Sequence, residues 1–234
     1  MATRAAPFVL VAVLAGCGGT HQVARGPIVA TKLTGELALY RIDPANGRAV
    51  RLSPGHDARD SQPACAPDGR TVVFVRETTH GVELRLLDLR ARGSRLLRRL
   101  DDASVQPAWS PDGKRIAFVH DRTGNGDDSI WTMKADGTAR RRITHGDGDH
   151  APAWSPDGRR IAFERGYDVW LVDADGGNER VAVVDAQAPT WAPDGTLLVS
   201  EYRLGDGGLY ALRDGHPLQR LVPGTWPEAC WARS

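Results

Sequence analysis

The amino-acid sequence predicts an all-β protein in which short four-stranded sheets form the blades of a β-propeller. Three observations lead to this prediction. The motif PAWSPDG occurs unchanged at residues 107–113 and 152–158. Related motifs begin at Pro63 and Pro189, which gives a period of about 40 residues, typical of propeller blades. The segments between them are short and rich in β-branched and aromatic residues, and Gly and Pro recur every few positions.

The first 16 residues precede this pattern and have the layout of a secretory signal peptide. A single cation, Arg4, is followed by an apolar run that is too short to span a bilayer comfortably. The sequence LAGC at residues 14–17 resembles the lipobox of bacterial lipoproteins, which implies cleavage before Cys17 and acylation of its sulfur. An ordinary signal peptide with an incidental Cys17, or a buried N-terminal strand or helix, are the alternatives. We therefore expect a lipoprotein signal peptide at 1–16, a tether at 17–26 and a propeller at 27–234.

The repeated motif predicts a β-hairpin. In residues 110–113 Pro111 suits the second position of a type I turn, and Gly113 can adopt the positive φ of a G1 bulge. Ile116 and Phe118 then share one face of the second strand, and the small Ala117 lies on the other, where a neighbouring sheet can approach closely. Trp residues at one repeat position, namely Trp109, Trp154, Trp191 and Trp231, are expected to pack between blades.

A second hairpin follows in each period, so that each period contains the four strands of one propeller blade. Five copies are present, at residues 36–53, 83–99, 129–144, 168–183 and 208–222. Only four complete Pro-Asp-Gly hairpins accompany them. Residues 28–33 and 228–232 can supply the missing pair of strands from the two ends of the chain, which would close the ring. The prediction is therefore five blades with boundaries near residues 62, 106, 151, 188 and 226; a six-bladed ring or an open array are the alternatives.

The repeat PAWSPDGKRIAF, followed by DRTGNGDDSIWTMKADGTARRRIT, resembles the repeat of TolB-type propellers, also called PD40 or WD40-like repeats. The resemblance covers residues 28–231. It implies the propeller fold strongly and function only weakly, because this family contains periplasmic TolB proteins that bind other envelope proteins as well as propeller domains attached to peptidases of the prolyl-oligopeptidase type. Compared with TolB, we expect this chain to lack the separate N-terminal α/β domain.

Composition and motifs exclude several classes of function. The formal net charge is +1 with charged residues at 25%, which does not indicate a nucleic-acid partner. The sequence contains no Gly-x-Ser-x-Gly elbow, no His-Glu-x-x-His motif, no phosphate-binding Gly-x-x-x-x-Gly-Lys loop and no Gly-x-Gly-x-x-Gly motif. We therefore expect no catalytic residue and no cofactor. A weak metal candidate is the set His145, Asp147, Asp149 and His150, which we interpret first as an interblade loop.

Two cysteines remain after Cys17. Cys65 occupies the Trp position of the first full repeat, and Cys230 lies in the proposed closing strand. In a closed ring their blades are neighbours, and an extracytoplasmic compartment permits disulfides. A Cys65–Cys230 disulfide and a pair of buried thiols are both consistent with the sequence.

The function predicted is that of a membrane-anchored, extracytoplasmic binding module, a monomer that recognises an envelope protein or a small ligand. The loops before each repeat proline are expected to form its binding face; the candidates are Asp57, Asp60, Gln62, Asp101, Asp102, Gln106, Asp147, Asp149, His150, Asp185 and Gln187. The alternative is a propeller enzyme of glycosidase or lyase type, which would need paired carboxylates about 5–10 Å apart at the central channel.

Overall fold

A computed structural model describes residues 28–32, 37–43, 48–53, 58–91, 93–100, 105–121, 127–146, 148–201, 208–214 and 216–223. Over these residues the regular secondary structure is entirely β. The described part of the chain contains no helix that could cross a membrane.

The strands form five antiparallel sheets, numbered here as blades 1 to 5. Blade 1 contains β1 (Ile28–Lys32), β2 (Ala38–Ile42) and β3 (Ala49–Arg51). Blade 2 contains β4 (Arg59–Cys65), β5 (Thr71–Thr78), β6 (Gly81–Asp88) and β7 (Ser94–Leu100). Blade 3 contains β8 (Ala108–Trp109), β9 (Arg115–Asp121), β10 (Asp128–Lys134) and β11 (Arg141–Arg142). Blade 4 contains β12 (Asp149–Trp154), β13 (Arg160–Arg165), β14 (Asp168–Asp173) and β15 (Arg180–Val183), and blade 5 contains β16 (Ala186–Trp191), β17 (Leu197–Glu201), β18 (Gly208–Leu212) and β19 (Gln219–Pro223).

The prediction of a five-bladed propeller is confirmed, and the six-bladed alternative is wrong. The first strands of blades 2 to 5 contact one another in sequence, β4 with β8, β8 with β12 and β12 with β16, so these strands surround the central channel. Blade 1 joins blade 2 through β1 and β4. Residues 228–232, predicted to complete blade 1, lie outside the described residues, so the closing strand stays a prediction.

The turn chemistry inferred from the repeated motif is present in blades 2 to 5. The turn glycines Gly69, Gly113, Gly158 and Gly195 all have positive φ, between 63° and 86°. In blade 3 the amide of Gly113 donates to the carbonyl of Ser110 at 2.9 Å, which closes the turn. The Ser110 hydroxyl and the amide of Lys114 both donate to Asp112, at 2.6 and 3.0 Å. Serine and aspartate are therefore internal braces of the hairpin.

These braces predict a pH dependence of stability. The Ser110 hydroxyl and the Lys114 amide lower the pKa of Asp112, and Ser155 and Arg159 do the same for Asp157. Because the folded-state pKa values lie below the unfolded ones, the stabilisation is present above about pH 4 and is lost as the pH falls through the lowered values. We expect D112A and D157A each to cost about 0.5 to 1 kcal/mol at pH 7. Chemical denaturation between pH 2 and 7 should show a shallower acid slope for the double variant; an unchanged slope would contradict this assignment.

Alternate residues of each second strand face opposite neighbours, as predicted. Ile161 and Phe163 of β13 pack towards blade 3 with Ala117 and Val119, in one buried cluster. Ala162 faces blade 5 and packs with residues that include Leu197. The small side chain at this repeat position therefore admits the larger side chains of the next blade.

The repeated tryptophans join adjacent blades. The indole N–H of Trp109 donates to the Ala64 carbonyl of blade 2 at 3.1 Å. Trp191 makes the equivalent bond to Ala153 of blade 4, also at 3.1 Å. Trp154 packs on the cluster between blades 3 and 4. The interpretation of these residues as interblade packing is confirmed, and Trp231 lies outside the described residues.

The segments expected as loops before each proline are largely strand. β4, β12 and β16 begin three to four residues before Pro63, Pro152 and Pro189. Each of these strands continues past its proline, and the pairing with the next strand shifts register just before or at that proline. The pre-proline residues adopt positive φ there, at 50° for Gln62, 49° for Ala151 and 52° for Ala188. A β-bulge replaces the expected loop.

Candidate binding surface at the channel mouth

The inner strands of blades 2, 4 and 5 all begin at one end of the channel, called here the mouth face. The opposite end carries the Pro-Asp-Gly turns and is called the turn face. Seven predicted site residues are described and lie at the mouth face: Asp60, Gln62, Gln106, Asp149, His150, Asp185 and Gln187. Asp57, Asp101, Asp102 and Asp147 lie outside the described residues, as do Cys17 and Cys230.

Two of the predicted ligand carboxylates are buried in ion pairs. Asp60 is 2% exposed and accepts two hydrogen bonds from Arg76, at 2.6 and 2.7 Å. Asp149 is fully buried and is bound in the same way by Arg165, at 2.5 and 2.9 Å. Each arginine is on the second strand of its blade, directly opposite the aspartate. The structure thus places both carboxylates inside the blades and not on an exposed loop.

The blade 4 pair belongs to a larger network. Thr144 donates its hydroxyl to Asp149, and Arg165 also donates to Glu179 at 2.5 Å. Burial disfavours the charged guanidinium, but the hydrogen bonds to Asp149 and Glu179 outweigh it and raise the pKa of Arg165. In blade 2 the hydrogen bond to Asp60 raises the pKa of Arg76. Both arginines therefore remain charged, and their partner carboxylates fix the ends of the inner strands.

Side chains at the mouth link consecutive blades through the backbone of the bulges. The Gln62 Oε1 accepts from the amide of Gln106 at 2.8 Å, and the Gln106 Oε1 accepts from the amide of Ala151 at 2.6 Å. Blade 4 has Ala151 at the repeat position of Gln62 and Gln106, so it lacks this glutamine. Glu164 of blade 4 instead accepts from the amide of Ala188 in blade 5, at 2.7 Å. These bonds form a polar belt, called here the mouth belt, that holds blades 2 to 5 in register.

Sequence reasoning did not find Glu164. A signal was present, because Glu164 stands at a position where the equivalent residues of blades 2 and 3 are Val75 and Val119. A carboxylate where blades 2 and 3 have valine indicates a specific polar partner, and blade 5 also has a polar residue there, Ser200.

The predicted metal candidates do not converge among the described residues. Asp149 is engaged by Arg165 and Thr144, and His150 approaches Asp128 of blade 3 with 3.5 Å between Nε2 and Oδ2. His145 is exposed. Within the described ranges no group of three or more His, Cys, Asp or Glu side chains could hold a metal ion. Asp147 lies outside these ranges, so its part in the candidate stays untested.

Two large apolar side chains are markedly exposed at the mouth face of blade 4. Tyr167, in the turn between β13 and β14, is 55% exposed, and Val184, just after β15, is 66% exposed. The two segments are adjacent, since the Tyr167 carbonyl accepts from the amide of Ala186 at 2.8 Å. Among the described residues, no other large apolar side chains are as exposed. This pair is called here the apolar knob.

At the turn face, a cleft of about 650 Å³ lies between blades 4 and 5. Arg160 spans it and donates to both carboxylate oxygens of Asp214, at 3.1 and 3.0 Å. The same guanidinium lies 5.3 Å from the centre of the Trp191 ring. The cleft is therefore occupied by an interblade clamp, which the sequence pattern did not predict.

Cys65 is half-buried and forms no disulfide with another described residue. Burial and, secondly, the negative charge of Asp68 raise the pKa of Cys65 to about 12, which favours the protonated thiol at neutral pH. Because Cys230 is outside the described residues, the disulfide stays a prediction.

Comparison with solved structures shows the same architecture in other proteins. The chain is similar to TolB from Acinetobacter baumannii, with a TM-score of 0.76 and 20% identity, over 90% of this chain and 55% of that one. It is similar to a putative TolB from Agrobacterium tumefaciens, with a TM-score of 0.68 and 22% identity, over 86% of this chain and 82% of that one. An oligogalacturonate lyase in complex with manganese gives a TM-score of 0.68 at 17% identity, over 85% of this chain and 62% of that one.

At these identities the likeness shows the fold alone, and the chain spans only about half the length of the Acinetobacter protein. No curated protein sequence matches this chain significantly. The family model of the TolB beta propeller domain matches residues 36–220, which is most of the chain. The repeats, the five blades and this match together establish that the chain belongs to the TolB β-propeller domain family.

Proposed function

We propose that this protein is a non-enzymatic, extracytoplasmic binding module that is anchored to a membrane by lipid on Cys17 and recognises an envelope protein at its mouth face. The observation that carries the proposal is the apolar knob, Tyr167 and Val184, beside the mouth belt. An exposed tyrosine with an adjacent aliphatic residue and a polar rim is the composition typical of protein-binding surfaces. The rigid belt presents this surface with little loss of conformational entropy.

The mouth carboxylates support binding more than catalysis. A glycosidase or lyase would need carboxylates that are accessible to the substrate. Asp60 and Asp149 are each bound by an arginine, and Glu164 accepts a backbone amide. Within the described ranges, no feature favours the enzyme alternative.

A capture experiment tests the binding surface. The full-length protein and a Y167S/V184S variant would be purified from detergent-solubilised membranes, and the proteins that co-purify would be quantified. We expect one envelope protein with the wild type and at least a tenfold loss with the variant, since central aromatic anchors commonly contribute about 2 kcal/mol or more. The matched control is L218S/L221S, which removes two side chains that are 42% and 41% exposed on blade 5. Equal loss in both variants, or no reproducible partner, would refute the proposal.

The anchor is tested separately by growth with an alkyne-bearing fatty acid. We expect label on the wild-type protein and none on C17S. A wild-type chain without label would refute lipidation and leave the binding surface untouched.

A further inference from the structure

The outer edge of blades 2 and 3 carries a cluster of arginines that neither the mouth face nor the anchor uses. It consists of Arg95, Arg98 and Arg99 on β7 and Arg140, Arg141 and Arg142 at β11, and it is called here the arginine edge. Residues 94–100 and 139–142 contain no Asp or Glu. Asp101 and Asp102 follow the first segment directly, so the two segments together form a local excess of positive charge in a chain whose formal net charge is +1.

The two groups of arginines lie on neighbouring outer strands, with Arg95 on the side of β7 that faces blade 3 and Arg99 on the opposite side. The turn that leads to β11 packs directly on β7: a Cβ built on Gly137 would lie 2.8 Å from the Leu97 carbonyl oxygen and 3.1 Å from Leu97 Cδ1. Arg140 follows this turn and lies over the Trp131 ring, at 4.9 Å from its centre. The arginines of blade 3 thus begin beside those of blade 2.

The surface combines cationic and apolar groups. Arg95, Arg99 and Arg141 are exposed, and Leu96 between the first two is 41% exposed. Arg99 approaches Glu83 at 3.3 Å, yet its side chain remains 69% exposed, and Glu83 is already bound by Arg85 at 2.7 Å. Most of the positive charge therefore remains accessible to an external partner.

Protection of the sheet edge does not account for six arginines. A charged residue on an edge strand hinders pairing with another chain, and one is sufficient for a short strand. β15 carries one arginine, Arg180, and β19 carries one, Arg220. Arg142 donates to the Thr144 carbonyl at 2.8 Å and is thereby engaged within blade 3. The other arginines of blades 2 and 3 still exceed one for each edge strand, and this excess points to an anionic partner.

We propose that the arginine edge docks on an anionic phospholipid bilayer. Guanidinium groups bind phosphates through paired hydrogen bonds, and an aliphatic side chain among them can enter the headgroup region. The choice of a bilayer over another polyanion rests on the proposed function: a lipid on Cys17 and a tether of about ten residues, which can span at most about 35 Å, would keep the propeller near the membrane. Docking would then fix the orientation of the propeller: the outer strands of blades 2 and 3 would contact the membrane, and the mouth face would stay outside it.

Vesicle sedimentation tests this proposal without the lipid anchor. The full-length C17S chain would be mixed with vesicles of phosphatidylcholine alone or with about 30% phosphatidylglycerol, and the readout is the gain in binding caused by the anionic lipid. We expect a clear gain for C17S, and a roughly 100-fold smaller partition coefficient to the anionic vesicles when R95Q, R99Q and R141Q are added, since each arginine near an anionic surface contributes about fivefold. The gain should also decrease at high salt.

The matched control is C17S with R41Q, R159Q and R180Q, which removes three exposed arginines from blades 1 and 4. It should retain most of the gain. Equal losses in the two triple variants, or no gain for C17S, would overturn the proposal, as would a gain that an acidic soluble protein competes away at stoichiometric concentration. Fatty-acid labelling reports the anchor independently, so failure of either proposal can be recognised without the other.

Discussion

Replacing Arg165 with leucine is expected to lower the free energy of unfolding by about 3 to 5 kcal/mol. Asp149 is fully buried, and Arg165 supplies two of its hydrogen bonds, at 2.5 and 2.9 Å. Leucine would leave a buried carboxylate that keeps the hydroxyl of Thr144 but loses its cationic partner. Removing one member of a buried ion pair destabilises the protein by more than the intact pair stabilises it, because the remaining charge stays desolvated. Urea denaturation followed by tryptophan fluorescence would measure the loss.

The control is R70L, since Arg70 binds Asp88 with the same paired geometry at the surface. Its side chain is 51% exposed, and solvent screens exposed pairs, so R70L should destabilise the protein far less than R165L. Similar losses of stability for R165L and R70L would show that the burial of Asp149 does not make its pairing with Arg165 essential.

The repeats made the architecture predictable from sequence. Physical roles that recur in each blade leave a periodic trace, such as the glycine at positive φ in each turn or the small Ala162 between the larger Ile161 and Phe163. Each of these positions has a local reason, either backbone conformation or the approach of the next sheet. Their spacing is therefore sufficient to count blades and to assign faces.

The roles of single polar residues were less predictable, because they depend on partners in another strand. Asp60 and Asp149 were expected in a ligand face, but each pairs with an arginine 16 residues later. The sequence does contain a trace of this pairing. Blade 3 replaces both members together, with Ser104 and His120 at the equivalent positions. Joint replacement indicates contact, whereas the acidic residues alone had suggested exposure.

The mouth belt contains the clearest case of a role that the repeats could not predict. Gln62 and Gln106 are repeat equivalents, so their role could be read from the period, but Glu164 performs the same task from a different strand. Because Glu164 stands at a different repeat position from the two glutamines, its equivalent role leaves no periodic signal in the sequence. The same holds for Arg160 and Asp214, which join blades 4 and 5 from positions 54 residues apart.

The second large effect is expected at Gly137, where G137A should destabilise the protein by about 2 to 4 kcal/mol. Gly137 has φ +87°, and an added Cβ would lie 2.8 Å from the carbonyl oxygen of Leu97. That oxygen belongs to the backbone of β7, so the clash cannot be relieved by rotation of a side chain. Either the turn before β11 or the edge of blade 2 must move.

The control is G69A, since Gly69 also has positive φ, at +63°, but an added Cβ there would meet no described atom within 4 Å beyond its chain neighbours. Backbone strain alone should cost G69A about 1 kcal/mol. The difference between the two variants in thermal or urea denaturation then measures the steric contact between blades 2 and 3. Because the same contact positions the arginines of blade 3 beside those of blade 2, G137A should also weaken the binding of C17S to anionic vesicles while G69A does not. Equal destabilisation by the two substitutions would show that the turn does not rest on β7.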